Sequence, residues 1–469
     1  MRRPTIAVML LLAVGLFTTA EAKEEARSLS LEQAIDVALE NNRYRPISRL
    51  GVEIAEAQYS QVMSSYWPQI AVRSAFARLD EDPTTIFPEE TDTYTITDFL
   101  PQPIEATVTV PEKHIKLLDK THFVTTGTLV LPIYTGGQRR GMRQQARAGV
   151  RAAKQVVRRT DLQVTYDVRR MYYGALLARE LVQLGEDTVA RLEVTLELTE
   201  NLYKRGSGKV KKTDYLKHKV MVESIRSIVS TLRSNKQLAE AALVNTMGLD
   251  WDTDITVVEP EIPFVPFEGD LKRLVGSSYR FSPDWARLEA GLDAAEGQVK
   301  EAKSGYWPKL AFQGQVQVLA NSYDAGIVGP SERKSWRIGV GMELPLFNGF
   351  LTKQKVREAR ARLERLRQQK TLLHDGLALQ VKHLFLGVSR AQEQQESAGE
   401  ALKAASDNRR LNVRAYQDDL VELQDVVESQ LMESFVKARY LKVLYDHVEA
   451  KAHLEFVIGR EIDRLVTGG

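Results

Sequence analysis

The chain has 469 residues, 43% hydrophobic and 27% charged, with a formal net charge of +2 and no cysteine. So even a balance gives no electrostatic footprint for nucleic acid or for a bulk acidic partner. Without cysteine there is no disulfide framework, no thiolate chemistry and no lipid anchor on an N-terminal cysteine.

In chain order, Arg2 and Arg3 precede an apolar run from Ile6 to Phe17 and the small residues Ala20 and Ala22. This is the pattern of a secretory signal, residues 1–22, cut after Ala22. The run falls short of the ~18 residues that an uncleaved anchor needs. No longer apolar run follows, so an exported chain of this kind is either free in solution or inserted as strands. Ser30 with Gln33 has the spacing of a capping box and predicts a helix over 30–64. Tyr66-Trp67-Pro68 ends it, because proline lacks a donor and restricts the residue before it.

After Pro68 the apolar period changes to two, with Ile70, Val72 and Phe76 on one face. Residues 80–121 read as a long turn-rich loop at the cell surface, acidic where it begins and basic where it ends. Period two returns with Phe123, Thr125, Leu129 and Leu131, and Leu131-Pro132 closes the strand. A helix then runs from Gly137 to Leu202. Val164, Val168, Met171, Ala175, Ala178, Val182, Gly185, Val189, Leu192, Leu196 and Thr199 fall at alternating steps of four and three, the seam of a coiled coil. At 1.5 Å rise per residue such a helix is about 100 Å long. A turn over 205–208 leads to a shorter helix from Asp214 to Met247, with Gly248 as its C-cap. Residues 249–283 read as irregular and proline-rich, a linker or a small packed belt.

The same order then returns. A helix over 285–304 ends at Tyr306-Trp307-Pro308. A strand follows with Leu310, Phe312, Val316 and Val318 on one face and Gln313, Gln315 and Gln317 on the other. After a loop the next strand places Trp336, Ile338, Val340, Met342 and Leu344 opposite Arg337, Gly339, Gly341 and Glu343. Leu344-Pro345 and Gly349 lead into a second long helix, 350–415, whose seam is Leu377, Val381, Leu384, Val388, Ala391, Gln395, Ala398, Leu402 and Ala405. A last helix covers Asp425 to Ile458, capped by Gly459. The expected organisation is therefore a signal (1–22), a first repeat (23–248), an equatorial linker (249–283), a second repeat (284–459) and a tail (460–469).

Long seams alone fit a solvated coiled-coil rod, and a period-two hairpin alone fits a soluble fold. The strand lengths, about ten residues each, also suit a tilted bilayer crossing. The Tyr-Trp doublets at both helix–strand junctions and Trp336 at a strand start suit a membrane interface. Four strands cannot close a barrel, so the chain must pool them with copies of itself. Two copies give a filled barrel, and three give one of about twelve strands with an open lumen.

With these residues in view the chain resembles the TolC-like outer-membrane efflux proteins. The resemblance rests on Leu29-Ser30-Leu31 with Ala34-Ile35 and Ala38-Leu39, on Tyr306-Trp307-Pro308-Lys309-Leu310, on Leu344-Pro345-Leu346-Phe347-Asn348-Gly349, and on Tyr416 with Asp425-Val426-Val427-Glu428. It implies a mostly α membrane protein of mixed α/β class. Four strands per chain would build a trimeric twelve-strand transmembrane β-barrel, continuous with a long α-helical coiled-coil periplasmic barrel. It implies a homotrimer in outer-membrane lipid, a periplasmic adaptor and an inner-membrane pump as partners, and no nucleic acid. The function implied is the exit duct of a tripartite efflux pump for small molecules. The outlet of a type I protein secretion system is the alternative, and a soluble periplasmic scaffold the reading from another class.

The resemblance also maps the periplasmic pore constriction onto Asp425 and Glu428, which would form stacked acidic rings in three copies. Two ordinary helix-start acids would look the same in sequence. The tip latch and adaptor-docking residues fall on Tyr203, Lys204, Arg205, Gly206, Lys211 and Lys212 in the first half. In the second they fall on Tyr416, Asp418, Asp419 and Glu422. The first set is basic and the second acidic, so the two are expected to oppose each other around the ring. Some relatives have a basic residue where this chain has Val421. No HExxH helix or G-x-S-x-G elbow occurs, His447 and His453 read as solvated helix positions, and no enzyme activity, cofactor or metal is expected.

Overall fold

The structure, a computed structural model, describes residues 27–96, 104–117, 119–206, 210–321, 334–418 and 420–462. The signal, Lys209, Asp419, the end of the tail and most of the loop between the second pair of strands lie outside them. The described chain divides into two compact units. One holds residues up to Arg43, Asp161–Gly269 and His383–Phe456; the other holds Tyr44–Thr160, Asp270–Lys382 and Val457 onward.

In chain order the elements are β1 (Arg27–Leu29), α1 (Leu31–Asn41), α2 (Tyr44–Ser64), β2 (Gln69–Arg78), β3 (Thr84–Phe87), β4 (Glu90–Ile96), β5 (Ile104–Val110), β6 (Lys113–Lys116), β7 (Thr121–Tyr134), α3 (Gln138–Lys204), α4 (Lys212–Met247), β8 (Ile255–Val257), α5 (Leu271–Phe281), α6 (Pro283–Lys303), β9 (Lys309–Asn321), β10 (Lys334–Glu343), α7 (Leu351–Gln417) and α8 (Leu423–Ile458). The two long helices have 67 residues each and α4 and α8 have 36 each.

Four details depart from the sequence reading. The helix expected over 30–64 is two helices. The Ser30–Gln33 capping box forms, but the chain breaks at Asn42, whose amide donates to the Thr246 carbonyl at 2.7 Å. The break also puts Pro46 in the first turn of α2, where no N–H is needed. Residues 80–121 are not a plain loop: β3 pairs with β6 and β4 with β5 as two-stranded ribbons. Their threonines, valines and isoleucines favour extended backbone, and the flanking acids and prolines disguised it. The first returning strand runs past Pro132 to Tyr134, and a register shift between them absorbs the proline. The stretch 249–283 contains β8 and α5, so it is not irregular throughout.

In the first unit β1 and β8 pair in parallel. The fully buried Tyr172 hydroxyl donates to the Leu29 carbonyl at 2.9 Å and accepts the Val258 N–H at 3.2 Å. Arg179 of α3 donates to the carbonyls of Val257 and Glu259, at 2.8 and 2.7 Å. One helix thus anchors both short strands, and Ala34, Ala38, Leu176, Leu243 and Met247 complete the core around them.

The seam of α7 is buried where its period put it, at Leu377, Val381, Leu384, Val388, Ala391, Ala398 and Ala405. That of α3 holds at Val164, Val168, Ala175, Leu192 and Thr199, but between them Leu184 and Thr188 are buried instead of Val182 and Val189. Thr188 satisfies its hydroxyl on Leu184 O and on Ser434 Oγ, both at 2.7 Å, so a polar residue sits where an apolar seam was sought.

The second unit carries a four-stranded antiparallel sheet in the order β10-β9-β7-β2. Ile70, Val72, Phe76, Val316, Trp336, Ile338, Val340 and Met342 stand on one face, each more than half exposed. The register puts Arg73, Thr126, Gln313, Gln315, Gln317 and Arg337 on the other. β2 and β10 are the edges, each with one neighbour.

Candidate functional site

The predicted site residues all belong to the first unit, at the two turns that join a long helix to a shorter one. At the α3–α4 turn the chain leaves the helix through Arg205 N–H to Asn201 O at 3.1 Å and Gly206 N–H to Tyr203 O at 3.1 Å. Tyr203 stacks on Tyr215 with 6.3 Å between ring centroids and 4° between planes, so an aromatic pair rather than charge ties the two helices here. Lys204 pairs with Glu200 at 2.8 Å, one turn back, and this carboxylate raises its pKa. Arg205, Gly206, Lys211 and Lys212 are exposed. One turn inward, Thr199 Oγ donates to Thr195 O at 2.7 Å, leaving its lone pair for His218 Nδ1 at 3.1 Å. Burial lowers the His218 pKa.

The start of α4 is capped by a carboxylate. Asp214 Oδ2 accepts the Lys211 N–H at 3.0 Å, and this bond lowers its pKa. The start of α8 repeats the arrangement, with Asp425 Oδ2 accepting the Glu422 N–H at 3.0 Å. Glu428 Oε1 accepts from Gln424 Nε2 at 2.8 Å. Asp425 and Glu428 are both exposed and, three residues apart, share a helix face. Tyr416 is half-buried at the end of α7, while Asp418 and Glu422 are exposed in the turn.

The structure thus groups each half's residues at its own turn. It does not join the basic turn to the acidic one: among the described residues of one chain, no ion pair links Lys204, Arg205, Lys211 or Lys212 to Asp418 or Glu422.

What joins the halves was missed in sequence. Glu433 of α8, nearly buried, lies 2.9 Å from Arg191 of α3 and 2.6 Å from Arg409 of α7. The three residues are far apart in sequence and no motif marks them. Beside this bridge is a groove of about 630 Å³ lined by Leu198, Leu202, Val413, Tyr416, Leu423 and Val426 among others. Among the described residues no His, Asp or Glu cluster could hold a metal ion.

The comparisons with known proteins agree with this architecture. The family model described as outer membrane efflux protein matches residues 119–249 and 277–460. The chain is similar to protein CyaE of Bordetella pertussis, 24% identical over 241 residues, which are 51% of this chain and 50% of that protein. It therefore spans about half the length of the curated relative it matches. It shares its fold with a membrane protein from Pseudomonas aeruginosa at a TM-score of 0.72 and 16% identity, over 91% of this chain and 93% of that one. The outer membrane protein VceC of Vibrio cholerae gives a TM-score of 0.72 at 15% identity, over 92% and 96% of the two chains. The family is one of outer-membrane efflux proteins and not of enzymes. The family match spans well over half of the residues, and the chain belongs to the outer membrane efflux protein family.

Proposed function

We propose that three copies of this chain pool their four-stranded sheets into one outer-membrane barrel and serve as the exit duct of a tripartite efflux pump. The observation that carries this is the sheet itself. It has a large apolar face in the open, an opposite face of glutamine, threonine and arginine, and two unpaired edges. In water such a sheet would expose apolar surface and invite edge pairing. In a bilayer the apolar face meets lipid, and pairing β2 with the β10 of the next copy leaves no open edge.

The equal lengths of α3 and α7, and of α4 and α8, support an origin by internal duplication and a helical wall of even height. In this reading an inner-membrane transporter and a periplasmic adaptor hand over small molecules, and the duct conducts them passively. Asp425 and Glu428 from three copies form acidic rings at the periplasmic end, and the basic and acidic turns of neighbouring copies latch it shut.

The test is twofold. Membrane fractions should yield a heat-modifiable trimer in the outer membrane, and the purified trimer should conduct in planar bilayers. Cells lacking the gene should accumulate a small-molecule substrate. A chain that washes off membranes and carries no current overturns the duct, and loss of a secreted protein instead of a small molecule reassigns its cargo.

A further inference from the structure

The polar face of the sheet carries its charge asymmetrically. Ala71, Thr128, Gln315 and Arg337 stand at one level across the four strands, and Arg73, Thr126, Gln317 and Ser335 at the next. Arg337 donates from Nε and Nη2 to Gln315 Oε1, at 3.0 and 2.6 Å. Glutamine orients the guanidinium without neutralising it. Glu343 is the single acid among the described residues of this face, and it stands directly opposite Lys309 at the strand ends. Both arginines are therefore left without a counter-charge on their own sheet.

Their placement adds to this. Arg73 is on the edge strand β2 and Arg337 on the opposite edge strand β10. Within one chain about 14 Å separates the two edge strands, three spacings of ~4.8 Å. Closing the barrel by pairing β2 with the β10 of another copy would bring the two strands to one spacing. Two like charges on adjacent strands repel unless an anion lies between them. Next to Arg337, Gly339 and Gly341 have no side chains and leave an open recess of about 470 Å³, lined also by Gln313, Gln315 and Thr128.

We propose that each seam between copies forms an anion site in the lumen, with Arg337 of one copy and Arg73 of the next as its cationic pair and Gln315 as the positioning residue. The site takes compact phosphate or carboxylate groups, which match the guanidinium fork. The barrel segment thereby favours anionic cargo, whereas the proposed acidic rings of Asp425 and Glu428 would favour cations. This rests on the trimeric duct and on the arginine face being the lumen.

The experiment uses the full-length trimer in planar bilayers at about 0.1 M salt, where the Debye length is about 10 Å. Pyrophosphate is the probe, titrated from each side in turn. Wild-type current should fall with millimolar pyrophosphate from one side only. Arg337→Gln and Arg73→Gln should each raise the half-blocking concentration at least tenfold, and Arg337→Lys should restore it in part, keeping the charge without the fork. A Gln315→Ala variant should weaken block less than either arginine variant. If the variants conduct and are blocked like wild type, the anion site is wrong and the duct stands. If wild-type trimers carry no current at all, the duct reading falls and takes the site with it.

Discussion

The carboxylate of Asp425 accepts the backbone N–H of Glu422 at 3.0 Å, and so closes the first turn of α8. This residue therefore has a local task besides any place in a pore ring. The two can be separated, since asparagine accepts the same bond without the charge. Asp425→Asn should leave amide exchange in the first turn of α8 unchanged and lower the cation preference of the conducting trimer. Asp425→Ala should lower the cation preference and also speed that exchange several-fold. Asp214→Ala, which removes the matching cap on α4, should speed exchange there and leave selectivity alone. A wild-type selectivity in Asp425→Asn would reduce Asp425 to a cap.

Glu433 joins α3, α7 and α8 through Arg191 and Arg409. Its removal leaves two part-exposed guanidinium groups facing each other. Glu433→Gln should destabilise the helical part by about 1–3 kcal/mol, the cost of an unsatisfied part-buried charge pair. Loss of helical circular dichroism should begin several degrees lower in that variant. An unchanged midpoint would mean that solvent already neutralises the bridge.

His447, read from the sequence as a solvated helix position, is instead buried: it packs on Phe264 at 4.7 Å and has no hydrogen-bond partner for either ring nitrogen. Burial, with Lys451 nearby, holds its pKa below the usual imidazole range. The unfolded chain takes up the proton near pH 6.5, so folding is most stable above that pH and weakens as the pH falls through it. His447→Leu should raise the thermal midpoint, and more at pH 5 than at pH 8. Some acid sensitivity should persist, because burial lowers the pKa of His218 and His453 as well.

Gly248 and Gly459 end the two shorter helices with φ of +78° and +84°. A Cβ would come within 2.4 Å of Asn41 O at the first and of Phe281 O at the second. Either Gly→Ala change adds a left-handed penalty of about 1–2 kcal/mol to a backbone clash. Both variants should be nearly absent from the outer membrane on immunoblots, and normal levels of either would show that the helix ends can separate.

Among the described residues Lys211 and Lys212 make no ion pair with the acidic turn of their own chain, so the proposed latch is one between copies. A Lys211→Glu, Lys212→Glu double variant should conduct several-fold more than wild type in single-channel records. Equal conductance would remove the latch.

The sequence was most legible where local period decides structure. The beat of α7 named most of its buried seam, with Gln395 and Leu402 only half-buried, and alternation over 310–318 and 336–344 assigned both faces of a strand pair, because side-chain direction follows backbone geometry alone. It was least legible where a distant partner decides. Asn42 breaks a helix by reaching Thr246. Thr188 takes a seam position because Ser434 satisfies it. Glu433 gathers two arginines from other helices, and the threonine-rich strands of 80–121 became visible only once paired.

By itself, then, the sequence determined the long and short helices of each half, the apolar faces of the four sheet strands and the acids that begin the last helix. Tertiary structure alone decided that Asp425 caps its helix, that Tyr172 and Arg179 hold the short strands to α3, and that Arg73 and Arg337 occupy opposite edges of one sheet. The physical reason is that a residue's face is fixed by its neighbours in the chain, whereas its partner is fixed by which other segment comes to lie against that face.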